Sequence, residues 1–167
     1  MEPGDVTGGT EALPVPVCGP WEEMDAFEYT PELLAGPGTE EDPGEVTIRG
    51  CECRDNSCCM PETCTCLPHG ANYANRTILD NQRPILECNI MCQCGEACPN
   101  RETQTGLQFR LKVLKLPGKG WGLLTEEDIP KGRFVCEYAG EVLGFEEASR
   151  RIHSQKPSDN NYIIAKV

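Results

Sequence analysis

Ten of the twelve cysteines in this 167-residue chain fall between Cys51 and Cys98, in two bursts: CECRDNSCCMPETCTC over 51–66 and ECNIMCQCGEACPN over 87–100. Thiols at that density either pair as disulfides or, once deprotonated, hold a metal ion. The opening run MEPGDVTGGTEALPVP lacks a basic start followed by an apolar stretch. No later segment reaches the ~18 apolar residues of a membrane span. The sequence therefore reads as intracellular, and a reducing medium favours metal over disulfide.

Zinc takes four ligands in a tetrahedron and suits thiolate sulfur. Each burst contains Cys-x-Cys steps, at 51/53, 64/66 and 92/94. One intervening residue is awkward for two terminal ligands of one ion, so neighbouring sulfurs are expected to serve different ions. Cys51, Cys53, one of Cys58 or Cys59, Cys64, Cys66, Cys88, Cys92, Cys94 and Cys98 make nine candidate ligands. Nine terminal sulfurs would fill two four-ligand sites and strand one. If three of them bridge, six terminal and six bridging bonds satisfy about three tetrahedral zincs.

The spacing Cys-x-Cys-x5-Cys-x4-Cys-x-Cys, then after 21 residues Cys-x3-Cys-x-Cys-x3-Cys, resembles the pre-SET motif of Suv39-class histone lysine methyltransferases. In that family the cluster is three zincs on nine cysteines. The x5 and x4 spacings select Cys59, leaving Cys58 a spare thiol. Such a centre is structural, because saturated zinc has no open position for water or substrate. Further along, Asn100-Arg101, Gln104, Gly106, KGWG at 119–122, IPKG at 129–132 and FVCEYAGEV at 134–142 resemble the N-terminal half of a SET domain, in order. The resemblance covers about residues 48–167.

That resemblance implies roles for five further residues. Lys119, Gly120 and Trp121 match the loop that contacts S-adenosylmethionine, mostly through backbone; Gly120 permits close approach to a ligand, and the indole suits a cationic sulfonium. Tyr162 resembles a tyrosine that touches the cofactor. Tyr138, in EYAGE, matches a tyrosine beside the channel that admits the substrate lysine. Methyl transfer is an in-line displacement, so a lysine of ordinary pKa near 10.4 must be held neutral and aligned. Leu123 stands where many relatives carry Arg. His69 and His153 read as surface residues, and Cys136 as a small buried apolar side chain.

The elements that must position these residues follow from composition and periodicity. Residues 1–47 form an acidic, flexible N-terminal arm, for residues 1–50 hold twelve acids against one base and are rich in Pro and Gly. Residues 48–101 form the pre-SET zinc-cluster domain, and 102–167 the N-terminal part of a SET domain. Leu107, Phe109, Leu111 and Val113 alternate as a half-buried strand. Further strands are expected over 118–125, 133–144 and 161–167. A helix is expected over 144–156, with Phe145, Ala148 and Ile152 on its apolar face and acids early, bases late. The fold class is mainly β with few helices: a loop-rich, triangular zinc–cysteine module beside the first part of a SET sheet.

The resemblance implies a histone-lysine N-methyltransferase acting on a histone tail lysine, on H3, in chromatin and the nucleus. No membrane partner is expected, and the acidic chain (net charge −12) has no direct DNA-binding signature. The family's C-terminal half carries further cofactor-binding and catalytic segments and a cysteine tail, none of them found before Val167. The chain alone is therefore expected to be inactive and to need that half for full S-adenosylmethionine binding. A reading from another class is a non-catalytic, zinc-stabilised chromatin interaction module.

Overall fold

A computed structural model describes residues 4–24, 26–40, 43, 45, 48–54, 64–156 and 162–164. In chain order the elements are β1 (Val17–Cys18), β2 (Leu34–Ala35), β3 (Tyr73–Ala74), β4 (Thr77–Ile78), β5 (Leu111–Leu116), β6 (Gly120–Thr125), β7 (Glu141–Val142) and α1 (Phe145–Ser154), with 3-10 turns at Trp21–Glu23 and Thr103–Thr105. The chain divides into two units, one of Met1–Pro31 with Val46–Glu137, the other of Glu32–Glu45 with Tyr138–Val167.

The first unit is built on the hairpin β5–β6, paired from Leu111 opposite Thr125 to Leu116 opposite Gly120. Pro117-Gly118-Lys119 turns the chain, and Gly120 follows at φ +80°, a conformation that costs a residue with a Cβ but not glycine. Gly122 is needed for room, since a Cβ there would lie 2.7 Å from Leu116 Cδ1. Burial alternates at Leu107, Phe109 and Leu111, which with Val15 form an apolar core. Period-2 burial thus begins at Leu107 as expected, while ladder pairing begins only at Leu111. The difference has a local cause: the Leu107 amide donates to a carboxylate oxygen of Glu11 (3.1 Å) instead of to a strand.

The N-terminal residues differ from the solvated arm expected of them. β1 adds in parallel to β5, with Val17 opposite Val113, and Val15 and Val17 are buried. In Leu13-Pro-Val-Pro-Val17 the prolines hold an extended backbone, and two valines on alternate positions suffice to dock it. The acids serve the fold too. Asp5 accepts hydrogen bonds from the amides of Thr7 (3.0 Å), Gly9 (3.0 Å) and Val15 (2.8 Å) and from the Thr7 hydroxyl (2.7 Å), closing the loop 5–15. Burial alone would raise the Asp5 carboxyl, but the bonds from Val15, Thr7 and Gly9 hold it below its ordinary range. Glu11 takes the Tyr29 hydroxyl at 2.8 Å with its other oxygen.

The antiparallel pair β3–β4 encloses Asn75 (φ +48°) and Arg76 (φ +63°), two consecutive left-handed residues that match the right-handed strand twist. Asparagine tolerates this conformation; arginine is strained in it by roughly 1–2 kcal/mol. Arg76 is held there by bonds to Glu102 (2.8 Å) and the Thr105 hydroxyl (3.0 Å). Glu102, only 5% exposed, also faces Arg133 at 3.7 Å, whose guanidinium lies 5.1 Å from the Phe109 ring centre.

In the second unit β2 pairs in parallel with β7, Leu34 opposite Glu141. The strand expected over 133–144 is thus reduced to two residues, because among the described residues only β2 offers it a ladder. Cys136, on the unpaired stretch before it, is exposed rather than buried. Residues 162–164 carry no ladder, and the rest of that expected strand lies outside the described residues. The helix forms as expected. Glu147 bonds Arg150 and Arg151, and Arg151 reaches Glu141, each pair at 2.7 Å. Its apolar stripe faces solvent, however, with Phe145 87% and Ile152 47% exposed. His69 and His153 are exposed, as expected.

Two outcomes are expected. D5N keeps one acceptor oxygen and loses the charge, so the Val15 amide should exchange with solvent about tenfold faster, the worth of one charge-assisted bond. Because the folded carboxyl titrates below the unfolded one, its contribution is complete above the ordinary Asp range and lost as pH falls below it; the difference between wild type and D5N should then vanish. E102A leaves the half-buried Arg133 and the left-handed Arg76 beside no counter-charge and should lower the stability of the protein by about 2 kcal/mol in urea unfolding.

Candidate metal centre and methyl-transfer residues

Cys51 and Cys53 come from an extended stretch, Cys64 and Cys66 from the start of a turn, and Cys88, Cys92, Cys94 and Cys98 from a run of tight turns. All eight are buried, from 0% exposure at Cys88 to 9% at Cys53 and Cys92, and with Leu67 they form an interior made almost wholly of sulfur. Cys58 and Cys59 lie outside the described residues. The turns are local and self-contained: the Cys92 amide donates to the Asn89 carbonyl (3.0 Å), Cys98 to Gly95 (3.1 Å) and Leu67 to Cys64 (3.0 Å). The two bursts are stitched together by the Gln93 amide on the Cys51 carbonyl (3.0 Å).

The sulfurs fit a shared metal cluster. Cys51, Cys88, Cys92 and Cys94 lie within 4.8 Å of one another, and so do Cys51, Cys64, Cys66 and Cys88. Cys51 and Cys88 belong to both groups, the arrangement that bridging requires. The separations Cys51–Cys88 (3.9 Å), Cys88–Cys98 (3.9 Å) and Cys66–Cys92 (3.6 Å) are close to the ~3.8 Å edge of a tetrahedron with ~2.3 Å Zn–S bonds. They are far from the ~2.05 Å of a disulfide, and no disulfide joins any two of the eight.

Backbone amides already point at these sulfurs: Cys92 Sγ accepts from Cys51 (3.3 Å) and Asn89 (3.2 Å), and Cys98 Sγ from Asn100 (3.4 Å). Burial, then the adjoining Cys92 sulfur, pushes the Cys66 thiol upward, whereas at Cys92 the amides of Cys51 and Asn89 outweigh burial and lower it. Thiols crowded in this way surrender their protons to a cation rather than to water.

The five residues matched to methyl transfer fall in both units. Lys119, Gly120 and Trp121 sit on the turn and first residues of β6, Lys119 exposed and Trp121 half-buried. Lys115, across the hairpin from Trp121, holds its ammonium 5.8 Å from the indole centre and pairs with Glu23. Gly19, beyond β1, lies against the same ring. Leu123 opposes Val113 and is half exposed. In the second unit the Tyr138 hydroxyl donates to the Tyr162 carbonyl at 3.4 Å, and the two side chains are 66% and 70% exposed.

Sequence reasoning missed the contacts around Trp121. Lys115 reads as the polar member of an alternating strand, and nothing in the composition of the acidic segment singles out Glu23. It also missed Glu87, which gathers the Tyr73 hydroxyl, the Thr103 amide and hydroxyl and the Gln104 amide group at 2.7–2.9 Å. A glutamate just before a cysteine burst carries no local signal of that role.

A family profile described as the Pre-SET motif matches residues 7–101. The histone-lysine N-methyltransferase SETMAR of Bos taurus is 51% identical over 168 residues, covering 96% of this chain and 55% of that protein. The crystal structure of the methyltransferase domain of human SETMAR superimposes with a TM-score of 0.90 at 51% identity, covering 97% of this chain and 61% of that one. KRYPTONITE, solved in complex with mCHH DNA, H3(1-15) peptide and SAH, superimposes with a TM-score of 0.67 at 28% identity over 84% of this chain and 32% of that one. The chain spans about half the length of the SETMAR relative it matches. With its eight described cysteines gathered as the motif's spacing implies, the chain belongs to the pre-SET/SET family of histone-lysine methyltransferases.

Proposed function

We propose that this chain supplies the zinc-bound pre-SET module and the first part of the SET domain of a protein-lysine methyltransferase. Its substrate is a lysine in a histone tail, H3, and its place is the nucleus, on chromosomes. The observation that carries this reading is the likeness to the SETMAR methyltransferase domain at 51% identity, which runs through the hairpin bearing Lys119, Gly120 and Trp121. The H3 peptide and SAH present with KRYPTONITE support the substrate and cofactor classes.

The metal's part is structural: about three zincs saturated by Cys51, Cys53, Cys59, Cys64, Cys66, Cys88, Cys92, Cys94 and Cys98 leave no site for substrate. S-adenosylmethionine, when bound, supplies a methyl group on a sulfonium that a nucleophile can displace. Gly120 lets the backbone of the loop approach the cofactor, Lys119 and Trp121 flank it, and the indole face already attracts a cation in the form of Lys115. Tyr162 adds a contact to the cofactor. Tyr138 orients the neutral substrate amine through its hydroxyl, and alignment in a site without water lowers the barrier.

A second reading, a zinc-stabilised module that binds chromatin proteins without catalysis, is favoured by the apolar side chains exposed in the second unit, Phe145 at 87% and Ile164 at 72%. S-adenosylmethionine titrated in a calorimeter separates the two, since the module gives no heat.

Elemental analysis of purified protein should find about three zincs per chain, and chelation should unfold the first unit. A metal-free protein that stays folded in reductant would remove the cluster. Incubated with labelled S-adenosylmethionine and histones, the zinc-loaded chain alone should transfer methyl at background rate; turnover on the order of 1 per second, usual for an enzyme, would refute its dependence on the family's C-terminal half.

A further inference from the structure

Four thiolates around one zinc carry a net charge of −2, and a cluster of nine on three zincs carries −3 by the same count. Buried charge of that size needs compensation from the protein. Two consecutive side chains, neither of them a metal ligand, are placed to provide it.

Asn100 is 3% exposed. Its Oδ1 accepts from the Asn72 side-chain amide (2.8 Å), which fixes which way its own amide faces. Its Nδ2 then donates to Cys88 Sγ (3.4 Å) and the Leu86 carbonyl (3.1 Å). Cys88 is one of the two sulfurs common to both four-sulfur groups. Arg101 sends one guanidinium nitrogen to Cys94 Sγ (3.6 Å), the Cys94 carbonyl (3.3 Å) and the Asn89 carbonyl (2.8 Å), while the other is anchored on Gln104 (2.9 Å). Its Nε is buried with no hydrogen-bond partner among the described residues. A planar fork with one donor left unpaired is poor as a scaffold, but it puts a permanent positive charge against the sulfurs.

We infer that Arg101 and the Asn100 side-chain amide are the positioning pair that lowers the electron density of the cluster sulfurs, Arg101 by its charge at Cys94 and Asn100 by its donor at Cys88. The inference rests on the zinc reading above. Thiolates stabilised in this way hold zinc longer and resist electrophiles. Loss of such outer contacts typically costs ~10–100-fold in metal affinity.

The test uses the full chain with Co(II) in place of zinc, and R101Q and R101K variants. In R101Q the sulfur-to-cobalt charge-transfer bands should move to lower energy, because sulfur electrons freed of the charge are easier to remove, and zinc should pass to the chelator 4-(2-pyridylazo)resorcinol about tenfold faster. R101K keeps the charge without the fork and should retain wild-type bands. N100L should shift the bands in the same direction. If R101Q keeps wild-type bands and release rate, or R101K behaves like R101Q, Arg101 is only a scaffold and the inference falls. Should R101Q fail to fold, R101K and N100L decide by the same bands. Failure of the wild type to bind zinc or cobalt removes the cluster itself, a separate result.

Discussion

The structure depends on sulfurs that two distant peptide stretches hold in common. Cys51 from the first burst and Cys88 from the second belong to both four-sulfur groups, so neither stretch can complete its coordination alone. The interior around them is sulfur with one leucine, Leu67. Little hydrophobic free energy comes from such an interior, and the sulfurs are placed where metal bonds could supply it instead. This explains why residues 64–100 need so little secondary structure. The β3–β4 pair and a series of tight turns are enough, because what they must place is sulfur atoms, not an apolar face.

Polar groups tie this cysteine-lined part to the sheet beside it. Glu87 gathers the Thr103–Thr105 turn beneath the second burst, and Glu102 is buried between Arg76 and Arg133 while Arg133 lies over Phe109. One buried carboxylate thus joins the β3–β4 turn to the apolar core of Val15, Leu107, Phe109 and Leu111. The strain of Arg76 in a left-handed conformation is offset by that ion pair. On the other side of the core, Glu11 ties the N-terminal residues to Leu107 across 96 positions of sequence.

The acidic N-terminal stretch shows how composition can mislead. Charge summed over fifty residues describes a solvated arm, yet the contribution of an acid depends on where it sits. Asp5 and Glu11 are spent on backbone amides, and Val15 and Val17 are too few to register as periodicity though enough to extend a sheet. In the β5–β6 hairpin, by contrast, alternation and a Pro-Gly turn act through near neighbours, and the strands appear where that pattern puts them. The stretch 133–140 alternates similarly but forms no ladder among the described residues, because a strand needs a partner as well as a pattern.

By itself the sequence determined which cysteines are candidate ligands, the family, the β5–β6 hairpin and the helix at Phe145–Ser154, because each is written in short-range spacing: one-residue steps between cysteines, period two, period 3.6, acids before bases. Only the tertiary structure decided which sulfurs belong to two groups, that Asp5 and Glu11 close the N-terminal loop on the core, and that Asn100 and Arg101 face Cys88 and Cys94. Those facts depend on approach in space between residues seven to nearly a hundred apart, where folding, and no local preference, selects the partner.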